Sequence, residues 1–185
     1  MSNARIVKRV LVAAALGAAI SAGLAWATPS SGSTSTLLSR ATFSSFKVER
    51  KQVAVKDPVQ GRLSGEAERA RRRRPIWEVE VEARPALDIA TQTINFQPGA
   101  QSGWHSHPGP VFISVMSGTM TFYESDDPNC EPIVRSAGEG YLDVGDHAHI
   151  ARNETSAPAT NVVTYFVPPG AALRIDEPFP GNCPF

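Results

Sequence analysis

Residues 99–118 read GAQSGWHSHPGPVFISVMSG, and residues 138–153 read GEGYLDVGDHAHIARN. Each stretch passes from glycine-bearing turn sequence through an H-x-H pair into a β-like run. The pairs are His105-Ser106-His107 and His147-Ala148-His149, and together they hold all 4 histidines of the chain. Alternate residues of a strand project to one face, so each pair can aim two imidazoles into one interior. Neutral imidazole is the commonest side-chain ligand for divalent transition metals. Two such strands folded against each other would supply three or four nitrogens. No Gly-rich phosphate loop, G-x-S-x-G elbow or Cys/His zinc-finger spacing competes with this reading.

On either side of the two pairs the apolar period is two. Trp77–Ala83 alternates apolar and acidic residues as a half-buried antiparallel strand does. Further strands are predicted over Asp88–Phe96, Val111–Met116, Thr119–Glu124, Glu139–Val144, Ala148–Arg152 and Asn161–Val167, separated by Gly and Pro turns. Many short strands with little helix predict an all-β sandwich or barrel. Ser117-Gly118 reads as a tight hairpin, because Gly accepts positive φ. Tyr123, Tyr141, Tyr165, Phe112 and Phe166 are expected to fill the interior, and Trp104 to stand on the rim.

Gly99-x5-His105-x-His107 followed by Gly118, and Gly138 leading through Gly145 to His149-x3-Asn153, resemble the two sequence motifs of the cupin superfamily. The resemblance covers roughly residues 85–170 and implies a double-stranded β-helix, a jelly-roll barrel. It also implies that His105, His107 and His149 are metal ligands on adjacent inner strands, holding a divalent transition metal (Fe, Mn, Zn, Ni or Cu) beside a small-molecule ligand or substrate. The chain departs from the pattern in three places. Val111 stands where metal-binding cupins usually carry a fourth ligand, a glutamate, and Val144 and Asp146 replace the usual proline and second glycine of the second motif. Parity alone does not settle whether His147 faces inward beside His149. Gln101, His147 and Arg152 are accessory candidates: Gln101 offers an amide oxygen or simply faces solvent, and Arg152 bridges strands or binds a carboxylate. Three readings of the site stay open. It is a three-histidine centre similar to the cupin-type thiol and diketone dioxygenases, a metal or ligand site without turnover, or a set of hydrogen-bonded histidines in a metal-free binding or structural module. Whether the chain is an enzyme is left open with them.

The N-terminus reads as an address. Met1–Arg9 carries three cations and no acid, Val10–Trp26 is apolar, and Ala25-Trp26-Ala27 offers small residues to a signal peptidase. We expect a signal peptide over 1–27, a flexible lead-in over 28–36, an N-terminal extension over 37–84 and a barrel with its C-terminal tail over 85–185. Within the extension, Glu66–Arg74 fits a short helix or a charged loop equally. A retained membrane anchor is the alternative to cleavage; with cleavage, the protein is secreted or periplasmic and keeps no stable membrane association. The whole chain has 18 Lys+Arg and 18 Asp+Glu, and loss of Arg5, Lys8 and Arg9 leaves a net charge of about −3. That balance argues against nucleic acid as a partner, which needs a basic surface. A homodimer built by adding the N-terminal segment as a strand fits the pattern. Export lets Cys130 and Cys183 pair. The bridge would close a loop of about 54 residues, for which chain entropy gives roughly 4 kcal/mol.

Overall fold

Alternation organises the molecule. In the strand Ala159–Val167 every second residue is buried, from Ala159 through Asn161, Val163 and Tyr165 to Val167, and in Val111–Ser117 the buried positions are Val111, Ile113 and Val115. The computed structural model describes residues 27–52 and 77–185. Residues 1–26 of the expected signal peptide and the Glu66–Arg74 stretch lie outside the described residues. Within them are ten strands and no helix: β1 (Ser31–Gln52), β2 (Trp77–Gln101), β3 (His105–Ser106), β4 (Val111–Ser117), β5 (Thr119–Glu124), β6 (Ile133–Ser136), β7 (Gly140–Asp143), β8 (His149–Arg152), β9 (Ala159–Val167) and β10 (Ile175–Asp176).

All pairing among these strands is antiparallel. One half runs β1-β2-β9-β4-β7, the other β10-β3-β8-β5-β6, and the single pair Gln101↔Arg152 joins them. The halves close on a shared core, with Phe96, Val111, Val115 and Val167 from the first meeting Met120, Phe122 and Ala151 from the second. Burying each large apolar side chain contributes about 1.5–3 kcal/mol, which is what turns the sheet back on itself. The result is a nearly closed antiparallel barrel, the all-β architecture expected.

Several local readings differ from the structure. Ser31–Thr36, expected within a flexible lead-in, opens β1, and Ser33↔Phe96 through Thr36↔Thr93 are in register with β2. Main-chain hydrogen bonds order this segment, and composition does not report them. The 84/85 boundary falls inside β2, which runs unbroken through it. Ser117-Gly118 is not a hairpin between paired strands: β4 pairs β7 and β9, β5 pairs β6 and β8, and the chain crosses between halves here. Gly118 has φ 74°, and a Cβ on it would lie 2.7 Å from the Pro158 carbonyl oxygen. Phe112 and Phe166 meet on the outer surface with ring centroids 5.4 Å apart, Phe112 being half exposed, because both fall on the outward parity of β4 and β9.

Trp104 is buried rather than on the rim, packed with Tyr123, Ile150 and Cys183 in a second core under the C-terminal tail. Cys130 and Cys183 form the expected disulfide, with Cα atoms 5.3 Å apart, and Asn182 Nδ2 donates to the Glu124 and Asp127 carbonyls. The start of the described chain is tied down as well. Thr28 Oγ1 accepts from the Trp104 N–H at 2.6 Å and the Thr28 N–H donates to the Glu177 carbonyl at 3.2 Å. Further along β1, Arg40 and Thr42 clamp buried Asp88 of β2 at 2.7 and 2.6 Å. Hydrogen bonds from Thr42, the Gly170 N–H and Arg40 hold the Asp88 carboxyl at a pKa of about 2.

Candidate metal centre

β3 and β8 are neighbours, and their register sets His105 directly opposite His149. His107 follows β3 on the same parity. Three imidazoles therefore converge, with ring centroids 4.4 Å apart for His105 and His149, 4.8 Å for His105 and His107, and 5.3 Å for His107 and His149. All three side chains are buried, and one ligand nitrogen from each lies within 4.8 Å of the others.

Carbonyl oxygens fix two of the rings. Gly103 O lies 2.9 Å from His105 Nδ1 and Leu173 O lies 2.5 Å from His107 Nδ1. A carbonyl only accepts, so each ring carries its proton on Nδ1 and leaves the Nε2 lone pair for other use. Burial, then the neighbouring His149, hold His105 well below the usual histidine range; the same two causes bring His107 to about 4. Both rings are neutral at pH 7, the state a metal ligand needs.

The carboxylate missing at Val111 reappears on the adjacent strand. Asp143 of β7 is the cross-strand partner of Val111 and is fully buried. Its Oδ2 lies 3.1 Å from His149 Nδ1 and 3.7 Å from His107 Nε2. Burial pushes the Asp143 carboxyl up, but His149, the Gly145 N–H and His107 outweigh it and leave the group below the usual carboxylate range. The approach to His149 is off line, and neither Asp143 Oδ2 nor His149 Nδ1 has a hydrogen-bond partner among the described residues. Asp143 Oδ1 accepts from the Gly145 N–H at 2.8 Å, while its buried Oδ2, packed against two imidazoles, lacks an aligned donor, and a nearby cation would relieve that cost. The donor set fits a divalent cation on that ground. Motif reading passes over Asp143, although the exposed-buried-exposed-buried pattern of Gly140–Asp143 puts it on the inward parity with Tyr141.

The accessory candidates lie elsewhere. His147 precedes β8 in a bend; its Nδ1 is 2.5 Å from Asp146 Oδ1 and its Nε2 contacts Glu124. It joins Glu124 and Asp126 in a second, half-exposed group rather than the buried trio. Burial lowers its proton affinity, but the Asp146 and Glu124 carboxylates reverse the effect and raise it above the usual histidine value. Gln101 and Arg152 pair at the seam between halves and line a groove under the C-terminal tail, where the Arg152 guanidinium sits 3.9 Å above the Phe185 ring centroid.

A cavity of about 230 Å³ adjoins His105 and His107. Ser33 and Ser35 of β1 form part of its wall, with Gln92, Tyr165 and Arg174. The segment read as a lead-in thus helps to enclose the site.

Residues 92–165 match the family described as Cupin domain. No curated protein sequence matches the chain. Among solved structures, a conserved protein with a double-stranded β-helix domain from Klebsiella pneumoniae is 20% identical, with TM-score 0.41, covering 48% of this chain and 75% of its own. The cupin domain of an XRE-family transcriptional regulator from Enterobacter cloacae is 24% identical, with TM-score 0.36, covering 44% and 82%. A DMSP lyase from Ruegeria pomeroyi is 16% identical, with TM-score 0.41, covering 47% and 42%. The paired H-x-H motifs thus sit on an all-β, nearly closed antiparallel barrel whose residues 92–165, from β2 to β9, match the cupin domain family.

Proposed function

We propose that this chain is an exported cupin that holds one divalent transition metal on His105, His107 and His149 and acts on a small organic substrate as an oxygenase. The observation that carries the reading is the convergence of three buried imidazoles, two of them fixed by carbonyls on Nδ1 and kept neutral by burial, next to the buried Asp143 carboxylate, whose Oδ2 lacks an aligned donor. Bound there, a first-row cation such as iron(II) would supply a Lewis acid with coordination positions left for substrate and oxygen. The chain supplies the rest. Gly103 O and Leu173 O hold two rings in orientation, Asp143 contributes the charge that a dication requires, and the wall of β1 screens the cavity from bulk water. Export is supported by the N-terminal pattern and by a disulfide suited to an oxidising compartment. Intact mass of the exported protein checks it: a chain starting at Thr28 agrees, and a retained residue 1–27 segment does not.

The metal is tested by elemental analysis of protein purified without chelator or nickel resin, beside a His105→Ala/His107→Ala variant. About one metal per wild-type chain and none in the variant is expected; equal, metal-free samples overturn the reading. Anaerobic iron(II) loading followed by oxygen exposure with small thiols, diketones or phenolics separates enzyme from binding module. Uptake with one class is expected, and stoichiometric iron with no uptake from any assigns the chain to ligand binding without turnover.

A further inference from the structure

Resting on the metal-site reading above, we propose that the cavity beside His105 and His107 selects small carboxylates, and that Arg174 is the residue that recognises them. A guanidinium carries five N–H donors in a rigid fork. In Arg174 only Nε is engaged, with Asp176 Oδ1 at 2.5 Å, and the partly exposed side chain that lines the cavity has no carboxylate from the described residues on its two terminal nitrogens. Asp176 is half exposed and so holds the solvent side of the fork. A guanidinium that lines a cavity with terminal N–H donors left over binds a carboxylate by charge-assisted hydrogen bonds.

The surroundings point the same way. Among the described residues, Arg174 is the one charged side chain that lines the cavity, and no carboxylate lines it. Its charge reaches His105, His107 and Tyr165. Tyr165 donates to Gln92 Oε1 at 3.2 Å, which turns the remaining Gln92 function, its amide N–H₂, into a further donor. The wall is thus rich in donors and cationic, and a cation on the histidines adds to that sign. At about 230 Å³ the space is below the range of drug-sized pockets, roughly 300–1,000 Å³, so the ligand is small. The fold places Arg174 immediately before β10, whose pairing with β3 sets Asp176 opposite His105 and so brings Arg174 to the wall that the H-x-H pair shares. Arg152, the carboxylate-binding candidate of the sequence, stacks on Phe185 instead.

The test is a calorimetric titration of wild-type, Arg174→Gln, Arg174→Lys and Asp176→Asn proteins with propionate and benzoate, each beside its uncharged amide. Chelator-treated and zinc-loaded samples are run in parallel. The chelator-treated arm isolates the guanidinium, so loss of the metal reading leaves this result interpretable, and loss of this result leaves metal content untouched. Wild-type protein is expected to prefer at least one carboxylate over its amide by about tenfold or more, the size of a charge-assisted hydrogen bond. Arg174→Gln should erase the preference, Arg174→Lys should restore part of it, and Asp176→Asn should leave or strengthen it. Thermal melts verify that the variants are folded. Equal binding of acid and amide by the wild type, no binding of either, or an undiminished preference in folded Arg174→Gln overturns the proposal.

Discussion

The two H-x-H pairs are the same motif with opposite outcomes. His105 and His107 both turn inward, whereas of the second pair only His149 does, and His147 is held outside by Asp146 and Glu124. The difference lies in where the strand begins. His105 opens β3, with His107 just past its end, but β8 starts only at His149, so the bend over Gly145–His147 governs the first member of the second pair. Parity predicts facing only inside a strand or on its immediate extension. The two turns also touch: a Cβ on Gly145 would lie 2.5 Å from the Gly109 carbonyl oxygen, so both pairs are positioned by one close glycine contact.

Predictions that stress this contrast can be ranked by size. The largest effect belongs to the staple that fixes the floor beneath the second pair. Replacing Cys130 and Cys183 together by Ser should lower stability by roughly 4 kcal/mol in denaturant titration, and a loss under about 1 kcal/mol would contradict the account. Next comes Gly145→Ala, which combines φ 85° with a backbone clash. It should cost about 2 kcal/mol, read as a lowered Tm. Asp143→Asn should weaken metal affinity by about 10-fold or more, as loss of a supporting carboxylate does, whereas Glu124→Gln beside His147 should leave it unchanged.

The smallest effect is on pH dependence, where the pairs have opposite signs. His107 has a folded value of about 4 against the ordinary histidine value of 6.5. Between these values the unfolded chain binds the proton first, so metal-free protein loses stability as pH falls from about 6.5 toward 4. His147 is raised; its contribution is complete below the unfolded value and is lost as pH rises through the folded one. Urea midpoints of metal-free His107→Gln should therefore fall less steeply on acidification than wild type, and those of His147→Gln more steeply. The same slope in both variants would contradict the assignment. Asp88→Asn provides a control remote from both pairs, removing only the stability lost as pH falls from about 4 toward 2.

Much of this was legible in the chain. Alternation in Val111–Met116 and Asn161–Val167 defines two barrel strands, because each buries one face, whereas Thr119–Glu124 is buried on both faces from Met120 to Tyr123. The two H-x-H pairs marked where inward imidazoles would come from, and the resemblance to the cupin motifs named the trio, His105, His107 and His149, that the fold brings together. Ser31–Thr36 was not legible as strand, since β2 and not its own side chains holds it. Asp143 was missed because a lone inward acid is meaningful only once Val111 is known to be its partner. Arg174 gave no signal, for it sits in an irregular segment and acquires its role through β10 pairing with β3.

The central claim is that three imidazoles, one of them from the second pair, share one cation. A competitive metal titration of His149→Ala and His147→Ala beside wild type tests it most directly. The account predicts at least about a 100-fold loss of affinity for His149→Ala and a change of no more than about 3-fold for His147→Ala. Equal losses in the two variants, or undiminished affinity in His149→Ala, would contradict it.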